Sequence, residues 1–145
     1  MNGLFGTGAI LETDINLLLQ IIIVIVLLIG LYGRKRKVKM HTGIMVAATL
    51  AKFATFLAFM GPVFFENLNF FVNFTSQSIS YLVHAFTGAI TLTLAFGLII
   101  SWAIHASNIV PCYRRKRLMD VTVIFWVASV IFGIIGYLLV YAVYV

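Results

Sequence analysis

Residues 17–31 read LLLQIIIVIVLLIGL, an apolar run interrupted only by Gln20 and Gly30. A helix needs about 20 such residues to cross a hydrocarbon core of about 30 Å. Three further apolar runs follow, and the predicted spans cover residues 15–33, 38–61, 79–104 and 118–145. Because backbone groups inside a bilayer must satisfy their own hydrogen bonds, these runs are expected to be helices. The sequence therefore predicts an all-α fold, a four-helix transmembrane bundle.

The composition favours lipid over water as the surrounding solvent. Of the 145 residues, 63% are hydrophobic and only 10% are charged. A water-soluble domain of this length needs a larger polar surface than that. The length suits one domain, so residues 1–145 are interpreted as a single transmembrane domain. No soluble portion is left to present a basic face, so nucleic acid is not an expected partner despite the net charge of +6.

The Lys and Arg side chains predict the orientation of the chain. All of them except Lys52 lie in two clusters, residues 34–39 and 114–117. The segment before the first span and the segment between the second and third spans have none. Because Lys and Arg are retained on the cytoplasmic side, both basic loops are predicted to be cytoplasmic and both termini outside. This orientation indicates a multi-pass protein of the plasma membrane, with the lipid bilayer as its environment.

Lys52 stands near the middle of the second predicted span. A charged lysine at that depth costs about 2.5–3.5 kcal/mol on insertion scales. The chain offers no carboxylate at a matching depth, which leaves three interpretations. Lys52 is neutral, or it meets an anionic ligand such as a haem propionate or a lipid phosphate, or it pairs with a carboxylate of another subunit. A fourth, structural interpretation has the side chain snorkel to an interface.

Three histidines are candidate metal ligands. His84 and His105 lie at opposite ends of the third predicted span, about 31 Å apart along a helix, so they cannot share one site. His41 begins the second span at the depth of His105. Imidazoles from neighbouring helices can hold the iron of a b-type haem, which predicts an inner His41–His105 pair. His84 would belong to an outer site with Met60. The alternative is that all three make ordinary hydrogen bonds near the interfaces.

The fourth predicted span carries packing signals, and the chain lacks the usual catalytic motifs. Ser129 and Gly133 have the spacing at which small residues let membrane helices approach closely. Tyr137 and Tyr141 suit an aromatic belt at the membrane surface. We find no glycine-rich phosphate loop and no nucleophile–base pair, so no catalytic residue is assigned. An oxidoreductase activity is expected only if a bound cofactor supplies the chemistry.

Three stretches carry a resemblance to a known family, and it covers residues 38–142. They are His41-x-x-x-Met45 with Ala47 and Phe53, then Tyr81-Leu82-Val83-His84, then Arg117-Leu118-Met119 followed by Trp126, Gly133, Tyr137 and Tyr141. The pattern resembles a family of small four-helix prokaryotic membrane proteins of largely unknown function. Some members are linked to maturation of haem–copper terminal oxidases. The chain departs from the family at Thr42, where members have arginine, and at residues 113–116, where members tend to have a histidine.

The residues and the resemblance together predict a haem-handling, electron-transfer or oxidase-assembly role. Architecture alone is also similar to four-helix transmembrane b-type cytochromes. In this interpretation His41, His84 and His105 are the metal ligands, with Met60 as a further ligand and Lys52 facing a propionate of haem b. The alternative is an accessory structural subunit of a larger membrane complex, without a cofactor of its own. Either role implies other membrane subunits or further copies of the chain as partners.

Overall fold

The computed structural model describes residues 4–5, 9–33, 38–66, 75–104 and 115–141, and these ranges contain helices and no strand. Four stretches of helix are long and apolar enough to cross a membrane, which confirms the predicted all-α class and the four spans. The helices are α1 (Leu11–Tyr32), α2 (Val38–Thr55), α3 (Gly61–Glu66), α4 (Ser76–Ile104) and α5 (Lys116–Tyr141).

The helices α1 and α4 both begin earlier than the hydropathy predicts. Helix α1 includes Glu12 and Asp14 in its first turn, where acidic side chains interact favourably with the positive end of the helix dipole. Helix α4 is capped by Thr75, whose hydroxyl oxygen accepts a hydrogen bond of 3.2 Å from the backbone N–H of Ser78. Polar residues therefore extend both helices beyond their apolar cores.

The second span continues past its predicted end at residue 61. A π turn, Phe56–Met60, joins α2 to α3, and the N–H of Gly61 donates to the carbonyl of Phe56. Pro62 follows directly, and a proline in a regular helix lacks a donor and collides with the carbonyl four residues earlier. The wider turn relaxes this geometry just before the proline, so the helix passes through Pro62 and ends at Glu66.

The four spans are arranged as two antiparallel pairs. Helix α4 packs most extensively against α5, and α1 packs against α2; the pairs meet more sparsely through α1–α5 and α2–α4. A small apolar core fills the centre, and it consists of Ile23, Leu27, Ala48, Ala95, Trp126 and Val130. The sparse contact between the pairs leaves cavities beside this core.

Polar side chains face inward and large apolar side chains face outward. Among the buried polar residues are Asp14, Gln20, Lys52 and Thr91, whereas Ile124 on α5 is 66% exposed. Water would penalise this arrangement on both counts, but in lipid the apolar surface is solvated and the polar groups find partners inside. The burial pattern therefore supports a bilayer as the environment of the bundle.

Two glycines allow the helices of each pair to approach closely. A Cβ atom on Gly30 of α1 would lie 2.7 Å from Ile44 Cγ2 of α2. A Cβ atom on Gly133 of α5 would lie 2.8 Å from His84 Nδ1 of α4. Both distances are shorter than any real Cβ contact, so glycine is required for this packing. Helices α4 and α5 meet at Gly133, as the spacing from Ser129 predicts.

Candidate functional site

The side chain of Lys52 ends in the middle of the bundle and is only 5% exposed. Its ammonium donates a hydrogen bond of 3.2 Å to Gln20 Oε1 on α1. The amide of Gln20 donates in turn to Thr55 Oγ1 at 2.7 Å, and Thr55 donates to the carbonyl of Lys52. Lys52 Nζ also lies 5.3 Å from the ring centroid of Trp126, within the range of a cation–π contact. The side chain is therefore held inside the bundle and does not snorkel.

The Lys52 ammonium has donors to spare. An ammonium has three N–H donors, and a single side-chain acceptor, Gln20, is bonded to it within the described ranges. No ion pair of Lys52 is formed there either. Asp14 has a buried carboxylate, but this group accepts hydrogen bonds from the Tyr137 hydroxyl at 2.6 Å and from the N–H of Phe5 at 3.3 Å. The positive group in the centre thus remains available to an anionic group of a ligand.

His84 is held in one orientation by α5. Its Nδ1 donates a hydrogen bond of 2.6 Å to the carbonyl of Ser129, and the Ser129 hydroxyl donates back to the carbonyl of His84 at 3.3 Å. The ring packs over Gly133, where a Cβ atom would displace it. Since a carbonyl can only accept, the proton of the neutral ring is on Nδ1 and Nε2 has a free lone pair. A histidine that ligates a metal usually has this second bond.

Lys52, Met60 and His84 line one cavity between α2 and α4. The cavity measures about 110 Å³. Gln20, Tyr81 and Ser129 complete the polar part of its lining. The remaining lining residues are apolar or small, and they are Phe56, Val63, Phe64, Ala85, Gly88, Ala89 and Leu92. Val63 is 53% exposed, so this part of the lining lies at the surface of the bundle.

The π turn contributes to this lining. Lys52, Phe56 and Met60 are spaced four residues apart and all three reach the same cavity. In a regular helix four-residue steps drift by about 40° each around the axis, whereas the π turn adds a residue and slows this drift. The widened turn therefore keeps Met60 on the face that carries Lys52.

His41 belongs to a different place in the bundle, at the end where α1 finishes and α5 begins. Its Nδ1 donates a hydrogen bond of 2.8 Å to the carbonyl of Gly30, and its Nε2 lies 3.3 Å from Met119 Sδ. It lines a separate cavity of about 80 Å³. His41 and His84 therefore do not share a site. His105 lies outside the described residues, so the His41–His105 pair stays a prediction.

Several partners of the predicted residues were not evident from the sequence. Gln20 is the acceptor for Lys52, a pairing that the sequence did not indicate. Met119 and Ser129 were assigned no role at a site. Tyr137 was placed in an aromatic belt, whereas it is 6% exposed and bonded to Asp14. The available signal was polarity within an apolar span, which identifies Gln20 and Ser129 without indicating what they contact.

The donor set around His84 is compatible with one haem iron and one propionate. Within the described ranges no three side chains of His, Cys, Asp and Glu come together to hold a metal ion, so a site must use other atoms. The imidazole of His84 offers a nitrogen ligand, Met60 a thioether, and Lys52 a cation for a carboxylate. The 110 Å³ cavity is close in size to an engineered cavity of about 150 Å³ that holds benzene, so a macrocycle would extend beyond it.

Comparison with known proteins finds no matching family model, no matching curated protein and no matching solved structure. The resemblance to small four-helix membrane proteins stays a prediction.

Proposed function

We propose that the chain is a haem-handling protein of a respiratory membrane, and that it takes haem b into the cleft between α2 and α4. The observation that carries the proposal is His84, whose Nδ1 is fixed by the Ser129 carbonyl while Nε2 is left as a ligand beside Lys52 and Met60. His84 would hold the iron, Met60 would be a second ligand, and Lys52 would bind a propionate. A bound haem would supply one-electron chemistry.

Three features of the cleft support this ligand over a water-soluble one. Its apolar wall opens at the lipid-facing surface, where Phe56 is 41% exposed and Val63 is 53% exposed. Its one charged group, Lys52, lies at the deep end and has spare donors. A ligand that is apolar over most of its surface and anionic at one edge matches both ends of the cleft.

The role in a respiratory chain is electron transfer or oxidase assembly. In both cases the haem would be exchanged or reduced within the plane of the membrane. A cleft at the side of the bundle suits such an exchange with a neighbouring membrane protein. Other membrane subunits or a second copy of the chain would be the partners. A purified protein that is colourless but carries stoichiometric partners would instead support an accessory subunit without a cofactor.

We also propose an orientation in which both basic segments are cytoplasmic and both termini lie outside. The contacts of His41 support one part of it, because they join the end of α1 at Gly30 to the start of α5 at Met119. In the sequence, the two basic segments adjoin the end of α1 and the start of α5, the two helix ends that meet at His41. The excess of Lys and Arg at that end favours the cytoplasm.

The test is an optical spectrum of the protein purified in mild detergent from haem-replete cells. We expect a Soret band that shifts on reduction, and we expect His84→Gln to lose it. His41→Gln is the matched control, since His41 lies in the other cavity and should leave the band unchanged. Met60→Leu should keep the haem but alter its spectrum and midpoint potential. A band that survives in His84→Gln and disappears in His41→Gln would contradict the placement.

A further inference from the structure

The inner end of the bundle contains a second cluster that the proposed function does not use. His41 on α2 and Met119 on α5 meet there, with His41 Nε2 3.3 Å from Met119 Sδ. Met45 follows His41 by one helical turn and lines the same cavity of about 80 Å³. His41 is 2% exposed and Met119 is 7% exposed. One imidazole and two thioethers thus line one cavity at a helix junction.

In the neutral ring of His41, the hydrogen bond made by Nδ1 leaves Nε2 without a proton. Nδ1 lies 2.8 Å from the carbonyl of Gly30, which can only accept, so Nδ1 carries the proton of the neutral ring. Nε2 then presents a lone pair to Met119 Sδ, which also carries lone pairs and no proton. A cation between the two atoms satisfies both.

The separation of the two atoms suits a small metal ion. In zinc sites the metal lies about 2.0–2.1 Å from an imidazole nitrogen and about 2.3 Å from a sulfur. With these lengths, the observed 3.3 Å between Nε2 and Sδ corresponds to an angle of about 100° at the metal. Axial ligands of a haem iron stand on opposite sides, which would separate the same two atoms by about 4.3 Å. The pair therefore fits one bare ion and does not fit a haem.

The ligand types indicate which ion. Thioether sulfur is a soft ligand and favours Cu(I), whereas carboxylates and water favour harder divalent ions. The cavity lining contains Met45 and Met119 and no carboxylate. Arg115 lines the same cavity, and its positive charge opposes a divalent ion more strongly than a monovalent one. We propose that His41 Nε2, Met119 Sδ and Met45 Sδ form a binding site for a single Cu(I) ion at the inner end of the bundle.

The test is a competition titration of the full-length protein in detergent, under anaerobic and reducing conditions, against a coloured Cu(I) chelator. We expect one Cu(I) per chain. Loss of a supporting contact costs about 10–100-fold in metal affinity, so Met119→Leu, which removes a ligand, should weaken binding by at least that much. Leucine conserves the volume of methionine and should leave the fold intact, which thermal melting of the metal-free variant will check.

Met40→Leu is the matched control, because Met40 adjoins His41 in sequence but does not line the cavity. It should bind Cu(I) as the unchanged protein does. X-ray absorption at the copper edge should show sulfur neighbours that decrease in Met119→Leu and in Met45→Leu. His84→Gln should retain the copper, and Met119→Leu should retain any haem band, so this site and the haem cleft can fail independently.

Two results would overturn the inference. One is equal Cu(I) affinity in Met119→Leu and Met40→Leu. The other is binding of Zn(II) in preference to Cu(I), since the thioether ligands would then have no influence on selectivity.

Discussion

At the scale of single residues, Lys52 is buried and donates to Gln20, its one side-chain acceptor among the residues that the structure describes, with the ring of Trp126 beside it. Removing a lysine from a membrane interior recovers about 2.5–3.5 kcal/mol on insertion scales. A side chain with this cost persists where a ligand or partner needs it. Stability and binding should consequently respond to Lys52 in opposite directions.

Substitutions at Lys52 and Gln20 test this opposition. Gln20→Leu leaves the lysine without its acceptor and should destabilise the protein by about 1.5–3 kcal/mol, as for a lost hydrogen bond to a charged group. Gln20→Leu together with Lys52→Met removes both groups and should be at least as stable as the unchanged protein, because neither polar partner is left unpaired. Unfolding in mixed detergent micelles measures both. The double variant should also lose any haem, and a double variant as unstable as Gln20→Leu alone would refute the argument.

At the scale of secondary-structure elements, the contact between α4 and α5 orients His84. The glycine at position 133 leaves room for the imidazole, and the carbonyl of Ser129 fixes its Nδ1. A methyl group at Gly133 would lie 2.8 Å from Nδ1 and 3.0 Å from Cε1 of His84, so the ring would have to move. The orientation of the His84 ring thus depends on the absence of a side chain at Gly133 of the opposite helix.

Alanine substitutions at two glycines separate packing from helix propensity. Gly133→Ala should cost about 1–3 kcal/mol, as other overpacked sites do, and should weaken binding at His84. Gly97→Ala is the control, because a Cβ atom at Gly97 meets nothing within 4 Å. It should be neutral or more stable by up to about 1 kcal/mol, since glycine is the poorer helix former. Similar melting temperatures for the two variants would show that the contact between α4 and α5 tolerates an extra methyl group at position 133.

Hydropathy explains why the elements could be predicted and their contacts could not. The spans follow from the length and composition of apolar runs, and all four are present. The turn at Phe56–Met60 and the continuation to Glu66 depend on how one proline is accommodated. The pairing of His84 with Ser129 and of His41 with Met119 depends on the rotation of each helix about its axis. Helices that are apolar almost all round carry little information about that rotation.

At the scale of the whole molecule, the proposed orientation places both basic segments on the same side of the membrane. Cys112, the single cysteine of the chain, adjoins the second segment and provides a natural probe. A membrane-impermeant maleimide should not modify Cys112 in intact cells, and it should modify Cys112 after the cells are permeabilised. In a Cys112→Ser background, Ser76→Cys at the start of α4 should be labelled in intact cells.

Arg36→Cys in the same background completes the mapping of the orientation. It should behave as Cys112 does, because both positions adjoin basic segments that we propose to be cytoplasmic. Labelling of positions 36 and 112 from opposite sides would be incompatible with four spans. Labelling of both positions from outside would show that the protein is inserted in the opposite orientation, with the same arrangement of helices.

The second span has a joint at Gly61, near the end of the bundle that lies away from His41. The N–H of Gly61 bonds across five residues to Phe56, and Pro62 offers no N–H, so the hydrogen-bond pattern of a regular helix is interrupted between α2 and α3. A swing of α3 about this joint would widen the mouth beside Val63 while Lys52, held by Gln20 below the joint, stayed in place. A ligand as broad as a porphyrin could then enter the cleft between α2 and α4 without disrupting the apolar core.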